Sequence, residues 1–211
     1  AILFRVAAHT RSFEERFINL GLPYKIIGGL RFYERKEIKD IIAYLRLINN
    51  FNDDLAFERI INTPKRGIGK TTLGKINTIA RKYNISLLEA SEKMLNDSES
   101  KINLELKDFL FKLQKWFGLK NKLNHIELTE LILDDSKYID YLEAEEKNLK
   151  NPNNINRLEN IKEFIESLKD FENLEGFLEH VSLVMENISN TSRETITLMT
   201  MHAAKGLEFD Y

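Results

Sequence analysis

Apolar positions recur along the chain with two different periods, and each period predicts a different kind of element. Residues 1–6, 24–27 and 195–201 are short apolar or β-branched runs bounded by turn residues, which is typical of buried strands. Between the second and third runs, apolar residues recur about every 3.6 positions, as on one face of an α-helix. The sequence therefore predicts an α/β fold in which a large all-α insertion interrupts a small parallel sheet.

Apolar stripes and capping signals mark the predicted helices. Two capping boxes, Ser12-Phe13-Glu14-Glu15 and Ser86-Leu87-Leu88-Glu89, predict helix starts. We interpret the stripes as surfaces that pack helices into a core rather than as ligand sites. The stripes are Ile38, Ile41, Ile42, Leu45 and Ile48; Leu106, Phe109, Leu110, Leu113, Trp116 and Phe117; Ile155, Leu158, Ile161, Ile165 and Leu168; and Phe177, Leu178, Val181 and Met185.

The polar stretches at 147–156 and 187–194 predict connecting loops, the second of which returns the chain to the third strand. We therefore expect an α/β domain formed by residues 1–97 and 192–211, interrupted by a helical domain at 98–191.

Composition excludes several kinds of site. The chain has no cysteine, so disulfides and thiolate–metal sites are excluded. Its histidines, His9, His125, His180 and His202, are too scattered to have metal-ligand spacing. No apolar run is long enough to span a bilayer. These features predict a metal-free intracellular fold with no membrane partner.

Charge is distributed unevenly, although the net charge is only −2. Residues 1–86 carry 16 Lys/Arg against 8 Asp/Glu, whereas residues 87–211 carry 15 against 25. A basic first part suits phosphate binding, because each neutralised phosphate releases counterions. A solvated charged surface explains the same asymmetry equally well.

The string Gly67-Ile68-Gly69-Lys70-Thr71 has a superficial similarity to a phosphate-binding P-loop. That motif requires a glycine where this chain has Pro64, and it requires a preceding buried strand, whereas residues 55–62 have the spacing of a short helix. An autonomous P-loop NTPase is therefore rejected.

The same segment instead has the pattern of a helix–hairpin–helix clip for a DNA backbone. Its glycines allow a tight turn with positive φ and a close approach of the backbone to a partner, and the next helix, starting near Thr71, offers unpaired amides to a phosphate. A glycine turn between two packed helices is an equally plausible interpretation. The candidate DNA-binding residues are Lys65, Arg66, Gly67, Gly69, Lys70 and Thr71.

Three further strings carry a family resemblance. They are Ile2-Leu3-Phe4-Arg5 with Thr10-Arg11-Ser12-Phe13-Glu14-Glu15, the string from Gly28 to Asp40, and Leu198-Met199-Thr200-Met201-His202-Ala203-Ala204-Lys205-Gly206-Leu207-Glu208-Phe209. They resemble motifs IV, IVa and V of the UvrD/Rep/PcrA family of superfamily 1 DNA helicases. The resemblance implies a partial RecA-like domain, 2A, over residues 1–97 and 192–211, and an inserted domain, 2B, over 98–191.

The resemblance also implies roles for individual residues. Phe4, where the family usually has tyrosine, would stack on adenine, and Arg5 would be the catalytic arginine that reaches the γ-phosphate of ATP. Glu208 would contact the ribose, and Lys205 and Gly206 would lie where the nucleotide and DNA sites are coupled. Thr200 and His202 would face single-stranded DNA. The string Arg157-Leu158-Glu159-Asn160-Ile161 also recurs in the family, with no role derivable from sequence.

The resemblance implies an ATP-dependent 3′–5′ DNA helicase that acts in repair or replication in the bacterial cytoplasm, at the nucleoid. ATP and Mg²⁺ would be held mainly by a first RecA-like domain, because the chain lacks motifs I to III and VI. Both ends lie close to apolar runs, so we expect the chain to come from a longer protein and to hydrolyse no ATP alone. The partners would be single-stranded and duplex DNA and possible DNA-repair proteins. The alternatives are a non-enzymatic DNA-binding or protein-docking module, and part of a helicase–nuclease subunit.

Overall fold

The computed structural model describes residues 1–5, 7–27, 30–96, 104–148, 157–187 and 195–208, and they are mostly helical with a small parallel sheet. The strands are β1 (Ile2–Phe4), β2 (Tyr24–Ile27) and β3 (Ile196–Thr200). The α-helices are α1 (Arg11–Asn19), α2 (Lys36–Asn49), α3 (Asp54–Ile60), α4 (Lys70–Tyr83), α5 (Leu87–Asn96), α6 (Leu104–Leu119), α7 (His125–Asp135), α8 (Tyr138–Asn148), α9 (Arg157–Leu168) and α10 (Leu174–Asn187). Short 3₁₀ helices occupy Ala7–Thr10 and Phe32–Glu34.

The last strand of the chain lies between the first two. The strand order is β1-β3-β2, and both pairings are parallel, with Ile2 opposite Leu198 and Ile27 opposite Met199. The three predicted strands are confirmed. β2 has the predicted bounds, whereas β1 and β3 are shorter than the predicted runs 1–6 and 195–201. Because all three strands run in the same direction, their carboxyl ends meet at one edge of the sheet.

Two compact units divide the chain. One, the sheet unit, comprises Ala1–Lys39 and Glu146–Tyr211, and the other, the helical unit, comprises Asp40–Glu145. The predicted domain limits at 97/98 and 191/192 do not coincide with this division, and they stay a prediction. No helix in the described part of the chain is long and apolar enough to cross a membrane.

The core of the sheet unit lies between the sheet and α1. Phe4, Tyr24 and Leu198 from the three strands pack against Phe17 of α1. Consecutive strand residues point to opposite faces, so the inward direction of Phe4 leaves its neighbours Leu3 and Arg5 on the exposed side. This alternation fixes which side chains at the end of β1 are available to a ligand.

The first predicted capping box is wrong. The helix starts at Arg11, two residues before the start that a Ser12 N-cap would give, and its N-cap residue, Thr10, makes no side-chain cap. Glu15, the acidic residue of the predicted box, accepts a hydrogen bond from the Tyr33 hydroxyl at 2.9 Å. Its neighbour Glu14 is buried, and its carboxylate accepts hydrogen bonds from Thr10 Oγ1, from the Tyr24 hydroxyl at 3.1 Å and from Phe32 N at 3.2 Å. Burial raises the pKa of the Glu14 carboxyl. Both glutamates of the predicted box are therefore used in tertiary hydrogen bonds and not in a cap.

The block around Arg157 has a structural role that the sequence did not reveal. Asn160 of α9 is buried, and its amide is held at both ends: Arg35 Nη1 donates to Asn160 Oδ1 at 2.8 Å, and Asn160 Nδ2 donates to Glu37 Oε1. One turn further, Glu163 accepts from Arg11 Nε at 2.8 Å. Polar contacts therefore fasten α9 to the starts of α1 and α2 within the sheet unit.

The helical unit has an aromatic core. Tyr44 packs edge-on against Trp116 and Tyr138, at 5.9 and 6.5 Å between ring centroids. The stripe predicted on α6 is confirmed except for Phe117, which is 47% exposed.

The second predicted capping box, at the start of α5, is confirmed in part, because Ser86 Oγ accepts a hydrogen bond from Glu89 N at 3.2 Å.

The other predicted patterns are met less completely. On α10, Val184 is buried in place of the predicted Met185, which is 38% exposed. The predicted loop residues 147–148 belong to α8 and residue 187 to α10, while 149–156 and 188–194 lie outside the described residues, as does Ile155.

Candidate nucleotide and nucleic-acid sites

Arg5 and the loop after β3 lie side by side at the carboxyl edge of the sheet. Phe4 pairs with Thr200, and Met201 N donates to Phe4 O at 2.8 Å, so the two strand ends are directly bonded. Arg5 is exposed immediately after this pair, and His202 is exposed two residues beyond Thr200. Ligands of α/β sheets bind at the carboxyl ends of the strands. The structure thus brings together two predicted nucleotide residues, Phe4 and Arg5, and two predicted DNA residues, Thr200 and His202.

The loop after β3 is a series of turns. Thr200 Oγ1 accepts from Ala203 N at 3.3 Å, and Lys205 N donates to His202 O at 3.4 Å. Gly206 has a φ of 83°, which only glycine adopts readily. Residues 201–206 form turns and not a helix, and Glu208 is exposed at the end of the described segment. The side chains of His202 and Glu208 are therefore available to a partner.

Phe4 is a core residue in the structure. Its ring is 8% exposed and belongs to the core of the sheet unit. Phe13 of α1, which is 41% exposed, meets it edge-on at 5.1 Å between ring centroids. The stacking of Phe4 on adenine stays a prediction, and the burial of the ring does not favour it.

The hairpin between α3 and α4 is built as the sequence predicts. A helix, not a strand, precedes it, in agreement with the rejection of a P-loop. Gly67 has a φ of 66° and requires glycine for its conformation, whereas Gly69, the N-cap of α4, has an ordinary φ of −86°. An added Cβ would meet no protein atom within 4 Å at either glycine. Only at Gly67, therefore, does the backbone conformation itself require glycine.

Asn62 organises the hairpin, and sequence reasoning missed it. Its Oδ1 accepts from Arg66 N at 2.7 Å and from Ile68 N at 3.3 Å, while the Ile68 side chain is buried. An amide acceptor just after a helix and before a glycine turn is a signal that could have identified it.

Arg66 is engaged inside the helical unit. Its Nη1 donates to the carbonyls of Ile60 and Ile61 at 2.7 and 3.1 Å, which terminates α3, and its Nη2 donates to the Tyr44 hydroxyl at 2.6 Å. The guanidinium carbon lies 4.3 Å from the centroid of the Phe109 ring. Burial raises the pKa of Tyr44, and its hydroxyl donates onward to Thr63 O at 2.6 Å. With these contacts the guanidinium supports the hairpin from inside.

The remaining hairpin residues face solvent. Lys65, Lys70 and Thr71 are exposed, and no acidic residue lies in the first turn of α4. The free amides and positive dipole end of this 14-residue helix therefore lie beside two lysine side chains. This combination suits a phosphate group.

A parallel sheet with an exposed arginine and a polar turn at its carboxyl edge defines an α/β protein of the kind that binds ligands at its strand ends. The family follows from comparison: the model of the UvrD-like helicase C-terminal domain matches residues 1–211. The chain belongs to this family, which confirms the resemblance seen in its motifs.

Similar relatives include a probable DNA helicase II homolog of Rickettsia conorii, 47% identical over 214 residues, which covers 100% of this chain and 32% of the relative. The ATP-dependent DNA helicase PcrA of Bacillus subtilis is 40% identical over 223 residues, covering 99% of this chain and 30% of the relative. The PcrA of Staphylococcus epidermidis is 40% identical over 218 residues, covering 99% and 29%. The chain thus spans about a third of the length of these relatives.

Proposed function

We propose that the chain is part of an ATP-dependent DNA helicase that moves 3′ to 5′ along single-stranded DNA and unwinds duplexes in repair or replication. It contributes part of domain 2A, predicted at residues 1–97 and 192–211, and domain 2B, predicted at 98–191. The proposal rests on the position of the exposed Arg5, which follows Phe4, the residue whose carbonyl accepts a hydrogen bond from Met201 N in the loop after β3. The family model matches the chain over residues 1–211.

On the nucleotide side, Arg5 is the residue that acts on the reaction. A guanidinium is planar and always charged, so it suits the charge that develops on a transferring phosphoryl group. Gly206 and Glu208 complete the nucleotide contacts. Among the described residues, no group of three or more His, Asp or Glu side chains is placed to hold a metal ion. In the proposal, a first RecA-like domain therefore holds Mg²⁺ and most of the ATP.

On the DNA side, Thr200 and His202 contact the single strand, and the hairpin contacts a backbone. The hairpin contacts are Lys65, Lys70, Thr71 and the main chain from Gly67 to Gly69. Arg66 is assigned a supporting role instead, because its donors are already used inside the protein. Phosphate contacts of this kind fix position without reading sequence. Such a protein acts on the DNA of the bacterial cytoplasm, together with repair proteins.

The hairpin contact is tested by a salt titration of DNA binding by the natural protein that carries this chain. We expect the Lys65→Gln/Lys70→Gln variant to bind all sequences more weakly. Its slope of log K against log salt should be shallower by up to about 1.8 on a duplex or about 1.4 on a single strand, for two lost contacts. Lys107→Gln/Lys122→Gln, which removes two other exposed lysines of the helical unit, is the matched control.

Gly69→Ser adds a sharper arm to this test. Serine adopts the observed φ of −86° and is a favourable N-cap, and its Cβ meets no protein atom, so the fold should keep its stability. A fall in the DNA affinity of Gly69→Ser would then indicate that DNA lies close to the main chain at residue 69. If both variants bind DNA as the wild type does, the hairpin is only a turn between helices.

A further inference from the structure

The outward face of α4 is a strongly charged surface of the helical unit that the hairpin contact leaves unexplained. The helix contains Lys70, Lys75, Arg81 and Lys82 and no acidic residue. In most amphipathic helices charges of both signs alternate on the solvent side. A 14-residue helix with only positive charges is suited to a partner of opposite charge.

The basic residues share one side of α4. Ile76 and Ala80 are buried on the inner side, whereas Lys70, Gly74, Lys75, Thr78, Arg81 and Lys82 are exposed. At about 100° per residue, Lys70 and Arg81 form one edge of this exposed face, and Lys75 and Lys82 form the other. Between the two edges lie the small residues Gly74 and Thr78. The result is a low strip bordered by two rows of positive charge, which we name the α4 strip.

The charges of the α4 strip are not neutralised by neighbours in the part of the chain that the structure describes. Other basic side chains of the helical unit are paired: Arg46 with Asp53 at 2.8 Å, Arg59 with Asp40 at 2.7 Å, and Lys115 with Asp135 at 2.6 Å. Within the described residues, no ion pair involves the four basic residues of the strip.

The Tyr83 ring and the Glu58 carboxylate lie at the margins of the α4 strip. Lys82 Nζ lies 5.2 Å from the centroid of the Tyr83 ring, at the end of the helix. The carboxylate of Glu58 accepts from Asn77 Nδ2 at 3.3 Å, beside the strip rather than on it. The exposed face between these two groups therefore presents positive charge alone.

The shape and chemistry of the strip favour a duplex over a single strand. Proteins that bind single strands combine positive charge with aromatic side chains on which bases stack. The exposed face between the two charged edges carries no aromatic residue, because Tyr83, which ends α4 and is 48% exposed, lies on another side of the helix at about 100° per residue. Its length, about 16 Å from Lys70 to Arg81 at 1.5 Å per residue, corresponds to roughly five base-pair steps of duplex at 3.4 Å each. A glycine and a threonine in the middle leave room for a sugar–phosphate backbone.

We propose that the α4 strip is a second phosphate-contact surface for duplex DNA, continuous with the hairpin, in which Lys75, Arg81 and Lys82 contact the backbone beyond the contacts of Lys65 and Lys70. The proposal rests on the proposed function, because it extends the contact assigned to the hairpin. It makes the binding site an extended surface along one helix instead of a single turn.

The test compares three variants of the natural protein on blunt duplex and on single-stranded DNA, with salt titrations of each. Lys75→Gln/Arg81→Gln/Lys82→Gln removes the strip, Lys65→Gln/Lys70→Gln removes the hairpin charges, and Lys107→Gln/Lys112→Gln/Lys122→Gln removes equal charge from α6 and the turn after it. All positions of the strip are exposed and glutamine is a good helix former, so thermal melting should match the wild type.

We expect the strip variant to lose duplex affinity, with a salt slope shallower by up to about 2.7 for three lost contacts, while single-strand binding and the α6 control stay unchanged. An unchanged duplex slope overturns the proposal, as does an equal loss in the α6 control or an equal loss on single strands. If the hairpin variant alone weakens binding, the strip proposal fails and the hairpin contact stands. If neither variant weakens binding, both fail.

A further variant tests the strip without removing any of its basic residues. Gly74 has open space around it, so Gly74→Glu fits the free protein, and a longer and negative side chain would then lie in the middle of the strip. We expect weaker duplex binding with a melting temperature at or above that of the wild type, because glutamate is a better helix former than glycine in a helix interior. Wild-type duplex affinity of this variant would show that no DNA backbone lies over the strip.

Discussion

The Arg5→Ala variant of the natural protein should hydrolyse ATP with kcat lowered by roughly 10³–10⁵-fold, the range typical of arginines that stabilise phosphoryl transfer. Arg5 is exposed at the end of β1 and lies outside the core formed by Phe4, Phe17, Tyr24 and Leu198. The thermal melting temperature should therefore be unchanged. DNA-stimulated ATPase rates at saturating ATP measure the effect directly.

Two companion variants decide what Arg5 does. Arg5→Lys keeps a positive charge but loses the planar fork, so most of the loss should persist. Lys25→Ala removes another exposed basic residue from a strand of the same sheet and should leave kcat as in the wild type. A wild-type kcat for Arg5→Ala, with intact folding, would show that Arg5 is an ordinary surface residue.

The second large effect is expected at Arg66. The Arg66→Ala change leaves the carbonyls of Ile60 and Ile61 and the Tyr44 hydroxyl without their donor. At about 1 kcal/mol for each lost hydrogen bond, the free energy of unfolding should fall by about 2–3 kcal/mol. Because the hairpin is supported by these bonds, DNA affinity should also fall. Urea unfolding and DNA titration measure the two effects.

Salt dependence separates support from direct contact. If Arg66 supports the hairpin from inside, Arg66→Ala weakens DNA binding without changing the salt slope, since no phosphate contact is removed. Arg66→Lys should behave like Arg66→Ala, because lysine cannot bond to three oxygens in the same geometry. A shallower slope for Arg66→Ala together with near-normal binding by Arg66→Lys would show that Arg66 contacts a phosphate directly.

Local patterns were sufficient to predict the strands, the helix before the hairpin and the start of α4 near Thr71. These elements depend on periodicity and on glycine, which act over a few residues. The pairing of β1 with β3 was not predicted, because the motifs identify the strands but not their order in the sheet. The motifs name Arg5, Thr200 and His202 as candidates, whereas their meeting at one edge of the sheet depends on the strand order, which is a tertiary property.

Side-chain direction and internal bonding were harder to predict. The sequence marked Arg66 as a cation beside Lys65, but nothing in the local pattern shows that its guanidinium bonds to Tyr44, 22 positions away. Alternation along β1 could have placed Phe4 on the side opposite Arg5, yet which side α1 covers depends on the tertiary fold. The same limit applies to Glu14, whose buried partners come from two other segments.

Strand displacement tests the proposed helicase activity most directly. The natural protein would be incubated with ATP and Mg²⁺ on blunt, 3′-tailed and 5′-tailed duplexes, beside its Arg5→Ala variant. We expect displacement of the 3′-tailed duplex by the wild type only, while Arg5→Ala still binds that substrate. Displacement that prefers a 5′ tail, or displacement by Arg5→Ala at the wild-type rate, would contradict a 3′–5′ helicase that depends on this chain for its catalytic arginine.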